Sequence, residues 1–269
     1  MLNIAKSTGA CALAMLTCSL TIGQAQGQPR YTRDLCVKVR DGKAQEFTTF
    51  LQDVTAKLAK VRMDSGIYSM FAIARATVPA GRSAHCDYHL VYGSIGFPAE
   101  APGAQQTVAD YKKAGIKMTV EEAAAKRNEL SYLVSTDVWL DRELVGQSTK
   151  GGYVRVTYLK TKPGTTSAEW AAMSSATWKP LAEAWVKENP AMGWGSSTLA
   201  MPGGTGLAYN AMTLDFFPTW DAIGKGVPSR ALWNKVHPDS DMTAYFDRLA
   251  LIVDRPRIDI LKLVEVIVK

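Results

Sequence analysis

His85-Cys86-Asp87-Tyr88-His89 is the densest set of side chains able to move a proton or hold an ion. In an extended strand His85, Asp87 and His89 project from one face, while Cys86 and Tyr88 project from the other. An imidazole two residues from a carboxylate can share a divalent ion with it or be oriented by it as a general base. The outer members stand roughly 13 Å apart along a strand, so all three can hardly serve one small ion. No metal site is therefore assigned. The chemical expectation is proton transfer at His89, with Asp87 beside it and Tyr88 or Tyr209 as hydrogen-bond partner. The bland alternative is a polar strand end near solvent.

Tyr209 enters because the motif has no copy further along the chain. Phe217-Pro218 matches Phe97-Pro98, and counting back from each sets Tyr209 where His89 stands. Chemistry at His89 would thus belong to one half only. Tryptophans are uneven as well: after Trp139 come Trp170, Trp178, Trp185, Trp194, Trp220 and Trp233. Most suit packing against a sheet. Trp194, between Gly193 and Gly195, is harder to place in a regular core and is expected, with His85, to wall a ligand pocket. His237, before Pro238, reads as turn chemistry, with Asp239 or Ser240 starting the next helix. Nucleophile-elbow, phosphate-loop, Cys-x-x-Cys and zinc-protease motifs do not occur. No nucleotide or other cofactor is called for, and nothing beyond an available axial histidine marks a haem site.

These residues sit in a chain that repeats itself at a spacing of about 120 residues. Asp41-Gly42, Gly66, Pro79-Ala80-Gly81, Phe97-Pro98 and Met118-Thr119 recur as Pro163-Gly164, Gly193, Pro202-Gly203-Gly204, Phe217-Pro218 and Met242-Thr243. A period this long marks duplicated domains, not solenoid units. Leu35, Val37 and Val39 alternate with Cys36, Lys38 and Arg40, as in a strand. Phe47, Phe50, Leu51, Val54, Leu58 and Val61 follow at helical spacing. Strands over 67–77 and 85–92, a helix over 119–130 and a strand over 133–140 complete the first half. The second half repeats the order: strand 153–160, helix 167–187, strands 195–201 and 207–217, helix 231–252 and strand 258–268.

Strand, helix, strand, strand, helix, strand is the split βαβ or ferredoxin-like motif. It buries only one sheet face under helices, and a second copy can cover the other. On that element order and those turns, over residues 31–269, the chain resembles the tandem dimeric α/β-barrel superfamily. The resemblance implies an α+β fold in which two βαββαβ halves, 26–146 and 147–269, form one pseudo-dimeric barrel. It also implies a superfamily of many activities, among them cofactor-independent monooxygenases, lactone isomerases, polyketide cyclases and haem-binding members. Fold does not choose among them.

Residues 1–25 read as a signal peptide: Lys6 precedes an apolar run from Ala10 to Ile22, and Gly23-Gln24-Ala25 supplies small residues for cleavage. The run is shorter than a membrane span, and none follows. The expected location is periplasmic or secreted. Cleavage would leave Cys36 and Cys86, either a disulfide or two buried thiols. The formal charge of +6 is spread along the chain beside carboxylates, with no basic run interleaved with aromatics to favour nucleic acid. The expected partner is a small apolar or aromatic molecule, and further oligomerisation is left open. Two functional expectations stand side by side. One is an exported enzyme acting by proton transfer on an aromatic or polyketide-like compound, of lyase, isomerase or monooxygenase type. The other is a periplasmic protein that binds an apolar ligand or presents a surface without catalysis.

Overall fold

The sheet begins where the alternation predicts, at β1 (Arg30–Val39), and Leu35, Val37 and Val39 bury their faces under the first helix. This is a computed structural model; it describes residues 28–189, 192–204, 206–225 and 228–269, so the leader expected over 1–25 lies outside the described residues. Helix α1 (Ala44–Phe50), a π-register segment Leu51–Ala56 and α2 (Lys57–Asp64) run on without a break. The wider turn moves the buried stripe off Leu58 and onto Ala56, Ala59 and Met63.

β2 (Met70–Val78) and β3 (Tyr88–Ile95) follow, then α3 (Ala104–Lys113), α4 (Val120–Leu130) and β4 (Ser131–Gly146). α3 escapes sequence reading because it has no apolar stripe: its one buried residue is Asp110, which accepts from Arg62 Nε at 3.1 Å. Thr119 and Glu122 close a capping box at the start of α4, as Thr166 and Glu169 do for α5 (Ser167–Glu188).

The second half continues from β5 (Tyr153–Thr161) through α5 to β6 (Gly193–Met201) and β7 (Ala211–Phe217). It ends with α6 (Trp220–Gly224), α7 (Arg230–Val236), α8 (Met242–Ile252) and β8 (Val253–Val268). The helix expected over 231–252 is therefore two, parted at His237-Pro238, and the cap of the second is Asp241, whose carboxylate accepts from Thr243 N at 2.6 Å. The proline lacks an amide hydrogen, which forces the break.

Eight antiparallel strands close in the order β4-β1-β3-β2-β8-β5-β7-β6, with β6 returning to β4. Each half contributes four neighbours in the ferredoxin-like order, and the seams are β2 against β8 and β6 against β4. The outer sheet face carries the helices: Val37, Phe71, Ile73, Tyr88 and Leu90 pack on Phe47, Phe50, Leu51 and Val54. The inner face draws one cluster from both halves, including Ala74, Trp139, Val156, Tyr158, Met212, Leu261 and Leu263. Each large side chain so buried contributes about 1.5–3 kcal/mol. Cys36 and Cys86 form a disulfide with Cα atoms 5.2 Å apart. Closing 50 residues of chain stabilises the fold by about 4 kcal/mol in the loop-entropy account.

Candidate functional site

Inward-facing positions of β1, β3, β4 and β8 carry most of the titratable groups. His89 on β3 is 3% exposed, and its Nδ1 lies 2.8 Å from Asp34 Oδ2 on β1. A carboxylate accepts, so Nδ1 carries the hydrogen and Nε2 keeps a lone pair in the neutral ring. That Nε2 is buried without a partner among the described residues, and so is Asp34 Oδ1. Burial works against a charged imidazole here, but the charge and hydrogen bond of Asp34 outweigh it and hold the His89 pKa above its ordinary value. Arg257 and Asp259 on β8 act on the same ring, the first lowering and the second raising its pKa.

Asp34 pairs in register with Asp137 on β4. Tyr209 donates its hydroxyl to Asp137 Oδ2 at 2.7 Å. Burial, followed by the nearby Asp34 charge against the Tyr209 hydrogen bond, leaves the Asp137 pKa raised. Opposite, the Arg257 guanidinium donates from Nε to Asp259 Oδ2 at 2.7 Å, bonds it again through Nη2, and lies 4.4 Å over the Tyr158 ring. Tyr158 and Tyr209 have ring centroids 4.7 Å apart, and Trp139 stacks on Tyr209 at 5.8 Å. Asp259 Oδ1 and Trp139 Nε1 are also buried without partners among the described residues. One layer away, Asp141 accepts from Thr32 and Ser197, at 3.0 and 3.1 Å, and burial pushes its pKa up to about 6.

Not every sequence candidate joins this cluster. His89 and Tyr209 do. Tyr88 projects to the helix side, where its hydroxyl lies 2.6 Å from Thr48 Oγ1 and its ring meets Phe47 edge-on. Asp87 is a structural anchor: its carboxylate accepts from Val39 N at 2.9 Å and from Lys38 Nζ at 3.2 Å. At the matching place in the second half Asn210 Oδ1 accepts from Thr161 N at 3.0 Å, so the position ties a strand end in both halves. His85 lies in a bend before β3, which breaks the expected alternation; it is exposed beside the disulfide, and burial together with Arg257 lowers its pKa. Trp194 is buried, but alternation along β6 sets it opposite Ser197 and Leu199, which face inward. Trp139, not Trp194, stands in the interior cluster.

Asp34, Asp137, Tyr158, Arg257 and Asp259 were missed. A carboxylate on the less apolar face of a strand was the available signal, and only closure of the barrel turns that face into an interior. Neither of the two described cavities lies at His89. One is a void of about 10 Å³ beside Tyr68 and Tyr92, and the other a groove of about 630 Å³ along Phe246, Leu249, Ala250 and Val253. The residues do not fit haem. His89 Nε2 is buried and neither described cavity opens on it, His237 Nε2 donates to Thr177 O at 2.9 Å, and His85 sits on the surface beside the disulfide.

The fold is a closed barrel of two ferredoxin-like halves. Among solved structures, a protein described as a candidate monooxygenase from Fusobacterium nucleatum matches with a TM-score of 0.53 at 10% identity, over 91% of this chain and 96% of that one. Another so described, from Lactobacillus acidophilus, matches with a TM-score of 0.50 at 10% identity, over 90% of this chain and 99% of that one. At such identities the likeness shows the fold alone. No family model and no curated protein matches the sequence. Among the described residues no helix is long and apolar enough to cross a membrane.

Proposed function

We propose that the chain is an exported small-molecule enzyme, built as a pseudo-dimeric barrel, that works by proton transfer at His89 without a nucleotide cofactor. The observation that carries this reading is the buried His89–Asp34 pair, with Nδ1 committed to the carboxylate and Nε2 free. Nε2 takes a proton from carbon or oxygen of the substrate, and Asp34 stabilises the imidazolium that results. Arg257 balances negative charge left on the substrate, and the Tyr209 hydroxyl, held by Asp137, supplies a hydrogen bond. Trp139, Tyr158 and Tyr209 offer ring faces to an aromatic or polyketide-like compound. Return of the proton to another carbon of the substrate makes the reaction an isomerisation; its delivery to a departing group, as the bond to that group breaks, makes it a lyase step. In the monooxygenase form the electron-rich anion itself reduces dioxygen, one oxygen atom replacing two hydrogens on the substrate carbon and the other leaving with them as water, which is the class of activity named for the two neighbours.

The groove of about 630 Å³ beside α8 favours the second reading, an apolar-ligand-binding protein without catalysis. One experiment separates the two. Hydroxylated aromatic and polyketide-like compounds are incubated with the protein in D2O, and deuterium incorporation, isomerisation or oxygen uptake is followed. Turnover that disappears in His89→Gln supports the enzyme. Binding without turnover, unchanged in His89→Gln and lost in Leu249→Asp, overturns it in favour of the groove.

A further inference from the structure

Beside the mouth of the barrel, a ring nitrogen of His85 and the Sγ atoms of Cys36 and Cys86 all lie within 4.8 Å of one another. The sulfurs are joined in a disulfide. Cys36 and Cys86 are 4% and 2% exposed, whereas His85 is exposed, so the imidazole forms the solvent side of an otherwise buried sulfur pair. The bend at His85 brings its ring to the same side as the Cys86 sulfur; a continuous strand would have sent the two apart. Lys38 and Asp87, the nearby ion pair, are bound to each other at 3.2 Å. His85 makes no ion pair among the described residues, although Arg257 and Asp259 act on its ring from a distance.

We infer that reduction of the Cys36–Cys86 disulfide converts this corner into a cysteine–cysteine–histidine site for a thiophilic d10 cation of the zinc class. This inference stands apart from the proposed reaction at His89. Two thiolates and an imidazole are a ligand set that such ions prefer, with bonds of about 2.0–2.3 Å that the present spacing reaches by small side-chain rotations. Three protein ligands leave a fourth position for water on the exposed side. The redox step balances with a phosphine or dithiol reductant. Two electrons and two protons cleave the S–S bond to two thiols; a phosphine leaves as its oxide with oxygen from water, a dithiol as its own disulfide. Metal binding then releases the two thiol protons to solvent. The disulfide and the metal-bound form are mutually exclusive states of one cluster.

The test uses the full chain with Cys11→Ser and Cys18→Ser, so that Cys36 and Cys86 are the only thiols. Oxidised and phosphine-reduced protein are titrated anaerobically with Co²⁺, and bound Co²⁺ is then displaced by Zn²⁺, while circular dichroism follows the fold. The expected result is one Co²⁺ per reduced chain, a thiolate-to-cobalt charge-transfer band, and no band in the oxidised protein. Cys86→Ser should remove the band, and His85→Ala should weaken binding at least tenfold while keeping the sulfur signature. Reduced protein that stays folded and binds no Co²⁺ overturns the proposal, as does binding unchanged in His85→Ala. If reduction unfolds the chain, Zn²⁺ should restore the dichroism under reducing conditions; failure to restore it counts equally against the site.

Discussion

The two halves of the barrel share a backbone and divide the chemistry. Register equates β1 with β5 and β4 with β8: Asp34 faces Asp137 where Val156 faces Asp259. Cys36 opposes His89 where Tyr158 opposes Met212. The hydrogen bonds Asp87 N to Val37 O and Asn210 N to Leu159 O hold the same place in each half. Around these fixed points the first half sets Asp34, His89 and a disulfide, and the second sets Val156, Met212 and the Tyr158–Tyr209 ring contact. One half holds the buried histidine with its carboxylate and Trp139, the other Arg257 and the Tyr158–Tyr209 pair that Trp139 meets. Duplication supplied two equivalent frames, and closure lets unlike side chains from both meet in one interior.

The same register corrects the sequence count. Tyr209 matches Cys86, not His89, because Phe217 closes β7 as its last residue while Phe97 follows the end of β3 by two. Strand order and turns were legible because each rests on local chemistry, alternation and the placement of glycine and proline, whereas the cap expected at Asp239 or Ser240 falls at Asp241. His89 was legible for its residue type. Its partner was not, since Asp34 lies 55 residues earlier and only strand pairing brings it near. Asp87, two residues away in sequence, was the natural choice from sequence alone and serves the backbone.

The sharpest break between the halves is at His89 and Met212. His89→Gln should lower turnover by about 10²- to 10⁴-fold, the usual worth of a general base. Met212→Leu, at the equivalent place, should leave turnover within about threefold while preserving volume. Steady-state rates of the two variants on one substrate decide it, and equal losses would show that the interior matters only as packing.

Next comes the cross-link against the ring contact. Cys86→Ser should cost about 4 kcal/mol in denaturant unfolding, because 50 residues of loop regain their freedom. Tyr209→Phe keeps the ring and removes only the hydrogen bond to Asp137, so about 1.5 kcal/mol is expected. A larger loss for Tyr209→Phe than for Cys86→Ser would reverse the assignment of structural weight.

The third contrast is Asp141 against Leu263, its match on β8. Burial raises the Asp141 pKa to about 6 from an ordinary 3.8. The folded state therefore binds this proton more tightly than the unfolded state does. Its contribution to stability is full below about pH 4 and falls away as pH rises through 6, by about 3 kcal/mol at most. Asp141→Asn should flatten that part of the stability profile. An unchanged pH slope would mean that the carboxyl ionises freely and that Thr32 and Ser197 fully support its charge.

The smallest effect, and the one that needs no substrate, is the titration of His89. Asp34 raises its pKa against the pull of burial, so NMR should place the midpoint above 6.5, and the protonated ring should stabilise the fold below 6.5 and cease to do so as pH rises through that midpoint. Asp34→Asn keeps the burial and removes the charge, so the midpoint should fall below 6.5, which is what a second half holding Val156 would impose on a histidine at Met212. Placing that histidine there with Met212→His makes the comparison direct. Its ring would share the interior without a carboxylate on the neighbouring strand, and its midpoint should lie below that of His89 in the same spectrum. Coincident midpoints would show that the interior as a whole, with Asp137, Asp259 and Arg257, sets the proton affinity and that Asp34 serves only to hold the ring in place.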